Sequence, residues 1–132
     1  MTIYTDGGAR NNPGPAGIGA VLLDGERNVK AEVSEYIGEA TNNQAEYRAV
    51  IAALEKAAEL GAEELDFYLD SELVVKQLNR EYRVKDKEMA NLFLRIHNLT
   101  TGFKKVKFTH VRREFNKEAD RLVNLAIDAA GK

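Results

Sequence analysis

The hydrophobic period changes once along this chain of 132 residues, and that change restricts the fold more than any other feature. Up to Ile37 the apolar residues come in strand-like runs, Met1 to Thr5, Ala16 to Leu23 and Val29 to Ile37. Three runs with close connections predict an antiparallel meander. From Ala45 to Leu60 the spacing is helical, with Ala49, Val50, Ala53, Leu54, Ala57 and Ala58 recurring on one side and Gly61 as a stop. Leu65 to Leu69 then reads as a strand, and Asp70-Ser71 opens a helix through Val74, Val75 and Leu78. Lys87 to Leu99 predicts another helix, Val106 to Val111 a last strand, and Asn116 to Ala130 a closing helix with Ala119, Leu122, Val123, Ala126 and Ile127 inward. Strands separated by helices pair in parallel through right-handed crossovers. The expected fold is therefore α/β, a five-stranded mixed sheet with helices packed on it. No repeat, low-complexity segment or linker interrupts the pattern, so a single domain over residues 1–132 is expected.

Composition excludes some chemistry. There is no cysteine, which rules out disulfides and thiolate ligands. The first strand starts at Met1, leaving no room for a signal peptide, and no apolar stretch approaches the roughly 20 residues that span a bilayer. A cytoplasmic protein with no membrane partner is expected. The net charge of −2 argues against coating nucleic acid by bulk charge, although bases bunch at Arg80–Lys87 and again at Lys104–Lys117.

Acids fall where elements begin and end. Asp6 closes the first apolar run, before a long turn rich in Gly, Asn and Pro. Glu46 lies in the first turn of the long helix, Asp70 follows the fourth strand, and Asp120 stands one turn into the last helix. Sites in parallel sheets form beyond the carboxyl ends of the strands, where Asp6 and Asp70 are expected. Each acid has a plain structural alternative. Asp70 suits an N-cap, Glu46 a cap partner of Asn43, Asp120 an exposed helix acid beside Lys117 or Arg121, and Asp6 a turn. Singly those alternatives suffice; jointly they leave the sequence around each acid unexplained.

The joint pattern resembles the type 1 ribonuclease H family. The carrying blocks are Tyr4-Thr5-Asp6-Gly7-Gly8, Asn12-Pro13-Gly14-Pro15-Ala16-Gly17, Thr41-Asn42-Asn43-Gln44-Ala45-Glu46, Leu69-Asp70-Ser71 and Asn116-Lys117-Glu118-Ala119-Asp120. They follow the family's order and span almost the whole chain. The resemblance implies a ribonuclease H-like sheet in order 3-2-1-4-5, with strands 1–3 antiparallel and strands 1, 4 and 5 parallel. It implies a metal-dependent endonuclease that cuts the RNA strand of an RNA–DNA hybrid, leaving 5′-phosphate and 3′-hydroxyl ends. Asp6, Glu46, Asp70 and Asp120 match the catalytic carboxylates, holding two Mg²⁺ ions for which Mn²⁺ substitutes. Asp6 would bridge both ions, Glu46 and Asp70 would serve the leaving-group side and the 2′-hydroxyl, and Asp120 the ion that activates water. Asn12, Thr41, Asn42, Asn43 and Asn116 match positions that bind the hybrid. Thr41 is expected to offer a phosphate its hydroxyl and its backbone N–H. No obligate protein partner is evident, and a monomer is expected.

The chain departs from the family in three places. The connection Val111–Asn116 is too short for the usual histidine loop, and His110 reads as a residue of the last strand; Arg112, Arg113 or Glu114 are candidates to serve nearby instead. The segment Arg80–Lys87 carries two acids among its bases, so the family's basic helical protrusion is expected to be absent or reduced. Glu72 stands where some relatives place glutamine, which puts that minor-groove contact in doubt. Two alternatives stay open: a hybrid-binding module without activity, and a nuclease of other substrate such as double-stranded RNA.

Overall fold

A computed structural model describes residues 1–131. The chain runs β1 (Thr2–Ala9), β2 (Gly14–Leu23), β3 (Val29–Ala40), α1 (Asn42–Glu59), β4 (Glu64–Leu69), α2 (Glu72–Leu78), α3 (Lys87–Thr100), β5 (Lys105–His110), a 3₁₀ turn (Arg113–Phe115) and α4 (Lys117–Ala130). The strands form one sheet in the order β3-β2-β1-β4-β5. β1 with β2 and β2 with β3 pair antiparallel; β4 pairs parallel with β1 and with β5. Fold class, strand order and strand directions are those expected. No helix among the described residues is long and apolar enough to cross a membrane.

Alternation along β2 explains how two helices find opposite faces. Ile18, Ala20 and Leu22 join the main core with Ile3, Val50, Leu54 and Phe67 beneath α1 and α3. Gly17, Gly19, Val21 and Leu23 point the other way, as successive strand residues must. A Cβ at Gly19 would stand 2.3 Å from the carbonyl oxygen of Ala119 in α4. Glycine there lets α4 lie against the bare backbone of the sheet.

The three boundaries that move furthest from the sequence reading do so for local reasons. β1 does not stop before Asp6. It continues to Ala9, because Gly7, Gly8 and Ala9 pair with Ile18, Gly17 and Ala16 although their composition reads as a turn. Asp6 is therefore inside a strand rather than in a turn. β3 runs on to Ala40 through a register shift near Gly38, whose φ of +78° suits glycine. α1 starts at Asn42 rather than Ala45. Thr41 is its N-cap: Thr41 Oγ1 accepts from the Gln44 N–H at 3.1 Å, and the Thr41 N–H donates to Gln44 Oε1 at 2.9 Å. This capping box satisfies two otherwise orphaned donors. It also moves Glu46 into the second turn, with no part in the cap.

Candidate active site

The site lies where two parallel strands part. The β1–β4 ladder ends at Tyr4 opposite Tyr68, after which β1 continues against β2 while β4 stops at Leu69. Asp6 and Asp70 follow on the two sides of this split. Glu46 reaches it from α1, and Gly7 makes the approach possible: a Cβ there would lie 2.3 Å from the Ala45 carbonyl carbon. The Gly7 N–H donates to Glu46 Oε1 at 2.9 Å. Asp6, Glu46 and Asp70 each bring a carboxylate oxygen within 4.8 Å of the others. Asp120, from the first turn of α4, lines the same cleft of about 540 Å³, so all four expected acids converge.

Asp70 is not an N-cap. Ser71 caps α2, accepting from the Val74 N–H at 3.3 Å, which leaves the Asp70 carboxylate free to face the cleft. Asp70 is held from behind by Asn116, whose Nδ2 donates to Asp70 Oδ2 at 3.0 Å and to the Thr5 carbonyl at 2.8 Å. Asn116 is 1% exposed. The expectation that Asn116 touches substrate sits poorly with this burial: its NH₂ group is taken inside the protein, orienting an acid across the strand split.

The electrostatics are those of a site short of positive charge. Asp6 is 7% exposed and Glu46 is 5% exposed. Burial, together with the neighbouring Glu46 and Asp70, pushes Asp6 far above the carboxylate range, to about 10, and every neighbour acting on it pushes the same way. Burial raises Glu46 to about 7, against the opposing effect of its hydrogen bonds with Asp6 and Gly7. Glu46 Oε2 is buried with no hydrogen-bond partner. Buried carboxylate oxygens without donors are costly, and this set, all hard oxygen ligands, fits a divalent cation of the magnesium type.

The cleft wall is built from amides. Asn42 and Asn43 line it. Asn42 Oδ1 accepts from the Ala9 N–H at 2.8 Å, and the Asn42 N–H donates to Asn12 Oδ1 at 2.9 Å. These bonds occupy the amide oxygens and leave both NH₂ groups as donors. Thr41 does not line the cleft, and its N–H is taken by Gln44, so only its hydroxyl remains of the two groups expected to meet a phosphate.

Arg113 also lines the cleft, with Nη2 4.0 Å from Asp120 Oδ1. It stands out among the residues named as candidates in place of a loop histidine; Arg112 and Glu114 instead pair with each other at 3.4 Å. His110 is the last residue of β5, in the strand as expected, with its side chain 38% exposed and Nδ1 4.0 Å from Glu72 Oε2. His97 is away from the cleft, its Nδ1 2.7 Å from Arg80 Nη2. Residues 79–86 join α2 to α3 without forming a helix. Arg10 and Asn124, absent from the sequence reading, line the cleft as well. Nothing in the local sequence of Asn124 marks it; the geometry of α4 alone brings it beside Asp120.

Comparison with known proteins agrees with this geometry. Residues 4–126 match the family model described as reverse transcriptase-like. Ribonuclease HI of Halobacterium salinarum is 46% identical over 127 residues, covering 96% of this chain and 64% of that protein. The chain thus spans under two thirds of the length of that relative, and about a third of the mycobacterial proteins it also matches. Ribonuclease H of Chlorobaculum parvum is 37% identical over 143 residues, covering 96% of this chain and 94% of the relative. The crystal structure of LC11-RNase H1 in complex with RNA/DNA hybrid superposes with a TM-score of 0.95 at 46% identity, covering 99% of both chains. On these matches, over nearly its whole length, the chain belongs to the ribonuclease H family.

Proposed function

We propose that this cleft hydrolyses the RNA strand of RNA–DNA hybrids, leaving 5′-phosphate and 3′-hydroxyl ends, with Mg²⁺ as the natural metal and Mn²⁺ as a substitute. The observation that carries this reading is the convergence of Asp6, Glu46 and Asp70 oxygens within 4.8 Å, two of the three acids being buried. A hybrid bound to a relative of such close structure supports the choice of substrate. Asp6, Glu46, Asp70 and Asp120 would hold a pair of divalent ions, which supply charge stabilisation to the attacking and leaving oxygens and lower the pKa of a bound water.

The protein's own groups do the positioning. The Gly7 N–H and the Asn116 amide fix the Glu46 and Asp70 carboxylates, so their geometry is set before substrate arrives. Arg113 beside Asp120 supplies a cation at the open side of the cleft, suited to a phosphate oxygen. Asn42 and Asn12 present amide NH₂ donors toward the backbone and its 2′-hydroxyls, the groups that tell RNA from DNA. Such contacts read the backbone rather than the bases, so little sequence preference is expected.

The test is cleavage of end-labelled hybrid, duplex RNA and duplex DNA side by side in Mg²⁺ and in Mn²⁺. Cutting of the hybrid's RNA strand alone supports the reading. Hybrid binding without cleavage in either metal, or faster cutting of duplex RNA, overturns it.

A further inference from the structure

We propose that Arg10 is a phosphate clamp, gripping a backbone phosphate that flanks the one being cut. The inference rests on the reading of the cleft just given and adds a contact to it. Among the described residues, Arg10 and Arg113 are the two cations lining a cleft that also carries Asp6, Glu46, Asp70 and Asp120. A polyanion entering so acidic a cleft needs positive charge along its path, and the two arginines occupy different places on that path. Arg113 is beside Asp120. Arg10 comes four residues after Asp6, at the end of β1, which is about 13 Å along an extended strand. Its guanidinium lies against Asn124 and Asp128, about one and two turns along α4 from Asp120, which suits a phosphate neighbouring the reacting one.

The guanidinium is already aimed. Nη1 lies 2.6 Å from Asp128 Oδ1, and Nη2 donates to Asn124 Oδ1 at 3.4 Å. Asp120, Asn124 and Asp128 recur every four residues and so form one row along α4. Asn124 Nδ2 bonds the Asp120 carbonyl at 3.1 Å, which ties the row to the catalytic end of the cleft. The Arg10 backbone is pinned by its N–H to the Pro15 carbonyl at 2.9 Å, so the side chain projects from a closed turn.

The Arg10 and Asp128 side chains are 48% and 59% exposed. An ion pair so open to water contributes little, so exchanging one anion for another costs little. A guanidinium also matches a phosphate in two parallel hydrogen bonds, which makes the phosphate a competitive partner. In this arrangement Asp128 and Asn124 hold Arg10 extended until substrate replaces the carboxylate. The competing account is that Arg10 only ties the β1–β2 turn to α4.

Steady-state cleavage of a defined hybrid by the parent, Arg10→Ala, Arg10→Lys and Asp128→Asn separates the two, with thermal melting as a check on folding. The clamp predicts that Arg10→Ala raises KM about tenfold with kcat within about twofold. It also flattens the slope of log kcat/KM against log salt by about 0.7–0.9, one phosphate contact. Arg10→Lys recovers part of the loss, and Asp128→Asn leaves KM unchanged or lowers it. If Asp128→Asn raises KM as much as Arg10→Ala, Arg10 is a structural tie and the clamp is wrong. Parental KM and salt slope in Arg10→Ala also overturn it. A parent that neither binds nor cuts hybrid brings down the reading of the cleft itself, and the clamp with it.

Discussion

Asp6 within β1 and Asp70 just past the end of β4 stand level with each other, each two residues beyond the last paired positions, Tyr4 and Tyr68. Two like charges at that separation, with Glu46 between the strands and α1, favour neutralisation by protons or by cations. Asp6→Asn keeps the size and removes one charge. We expect cleavage to fall at least about a hundredfold, because a ligand to the reacting centre is lost. The same variant should melt no lower than the parent in chelator, since repulsion is relieved. Parental cleavage by Asp6→Asn would remove the carboxylates from the chemistry.

The raised Asp6 and Glu46 make the metal-free protein sensitive to alkali. Their folded pKa values of about 10 and about 7 lie above the ordinary 3.8 and 4.5, so the folded state holds protons that the unfolded state has released. Stability from these groups is complete below about pH 4 and declines as pH rises toward those values, by up to about 1.4 kcal/mol per pH unit for each proton held. In chelator, melting temperature should fall from pH 5 to pH 8 more steeply for the parent than for Asp6→Asn. Added Mg²⁺ should raise melting temperature most at the alkaline end, where no proton competes, by linkage to the folded state. Equal slopes for parent and variant would show that Asp6 is not the titrating group.

Much of this was legible in the chain, because the acids that matter are embedded in runs whose period announces their element. Asp120 is an example: Ala119, Leu122, Val123, Ala126 and Ile127 define the inner face of α4, and the position of Asp120 follows from theirs. What escaped the sequence reading depends on contacts between distant segments. Gly7-Gly8 looks like a turn until the ladder to Ile18 and Gly17 is seen. Thr41 looks like a free hydroxyl and N–H until Gln44 claims the N–H. Asn116 looks like a surface amide because only the fold brings it 111 residues back along the chain to Thr5. Asp70 next to Ser71 offered two cap candidates, and only hydrogen-bond geometry distinguishes them.

Asn116 gives a prediction of its own, since a buried amide joins Asp70 to the Thr5 carbonyl. Asn116→Ala leaves that carbonyl without a donor and should cost about 1–3 kcal/mol in chemical denaturation. It also releases Asp70, so kcat should drop several-fold while KM changes little, the pattern of a positioning residue. Asn116→Asp places a second acid against Asp70 and should lose more activity than alanine does, although it is the closer match in shape. A rise in KM with unchanged kcat in Asn116→Ala would instead restore the substrate-binding role.

Gly19 offers the sharpest separation of fold from chemistry. It faces α4, and an added Cβ would meet the Ala119 carbonyl oxygen at 2.3 Å and the Leu122 Cβ at 2.9 Å. Both belong to a helix that cannot yield locally, so Gly19→Ala must push α4 outward. Overpacking of this kind costs about 1–3 kcal/mol. Ala119 immediately precedes Asp120, and a shift of about 1 Å in a reacting group is enough to cost about a hundredfold in rate. Gly19→Ala should therefore remain folded at low temperature, melt lower, and lose activity out of proportion to its stability. Gly25→Ala is the control: nothing lies within 4 Å of its added Cβ, so both properties should match the parent. Full activity in a destabilised Gly19→Ala would mean that the position of Asp120 does not depend on the close seat of α4 on the sheet.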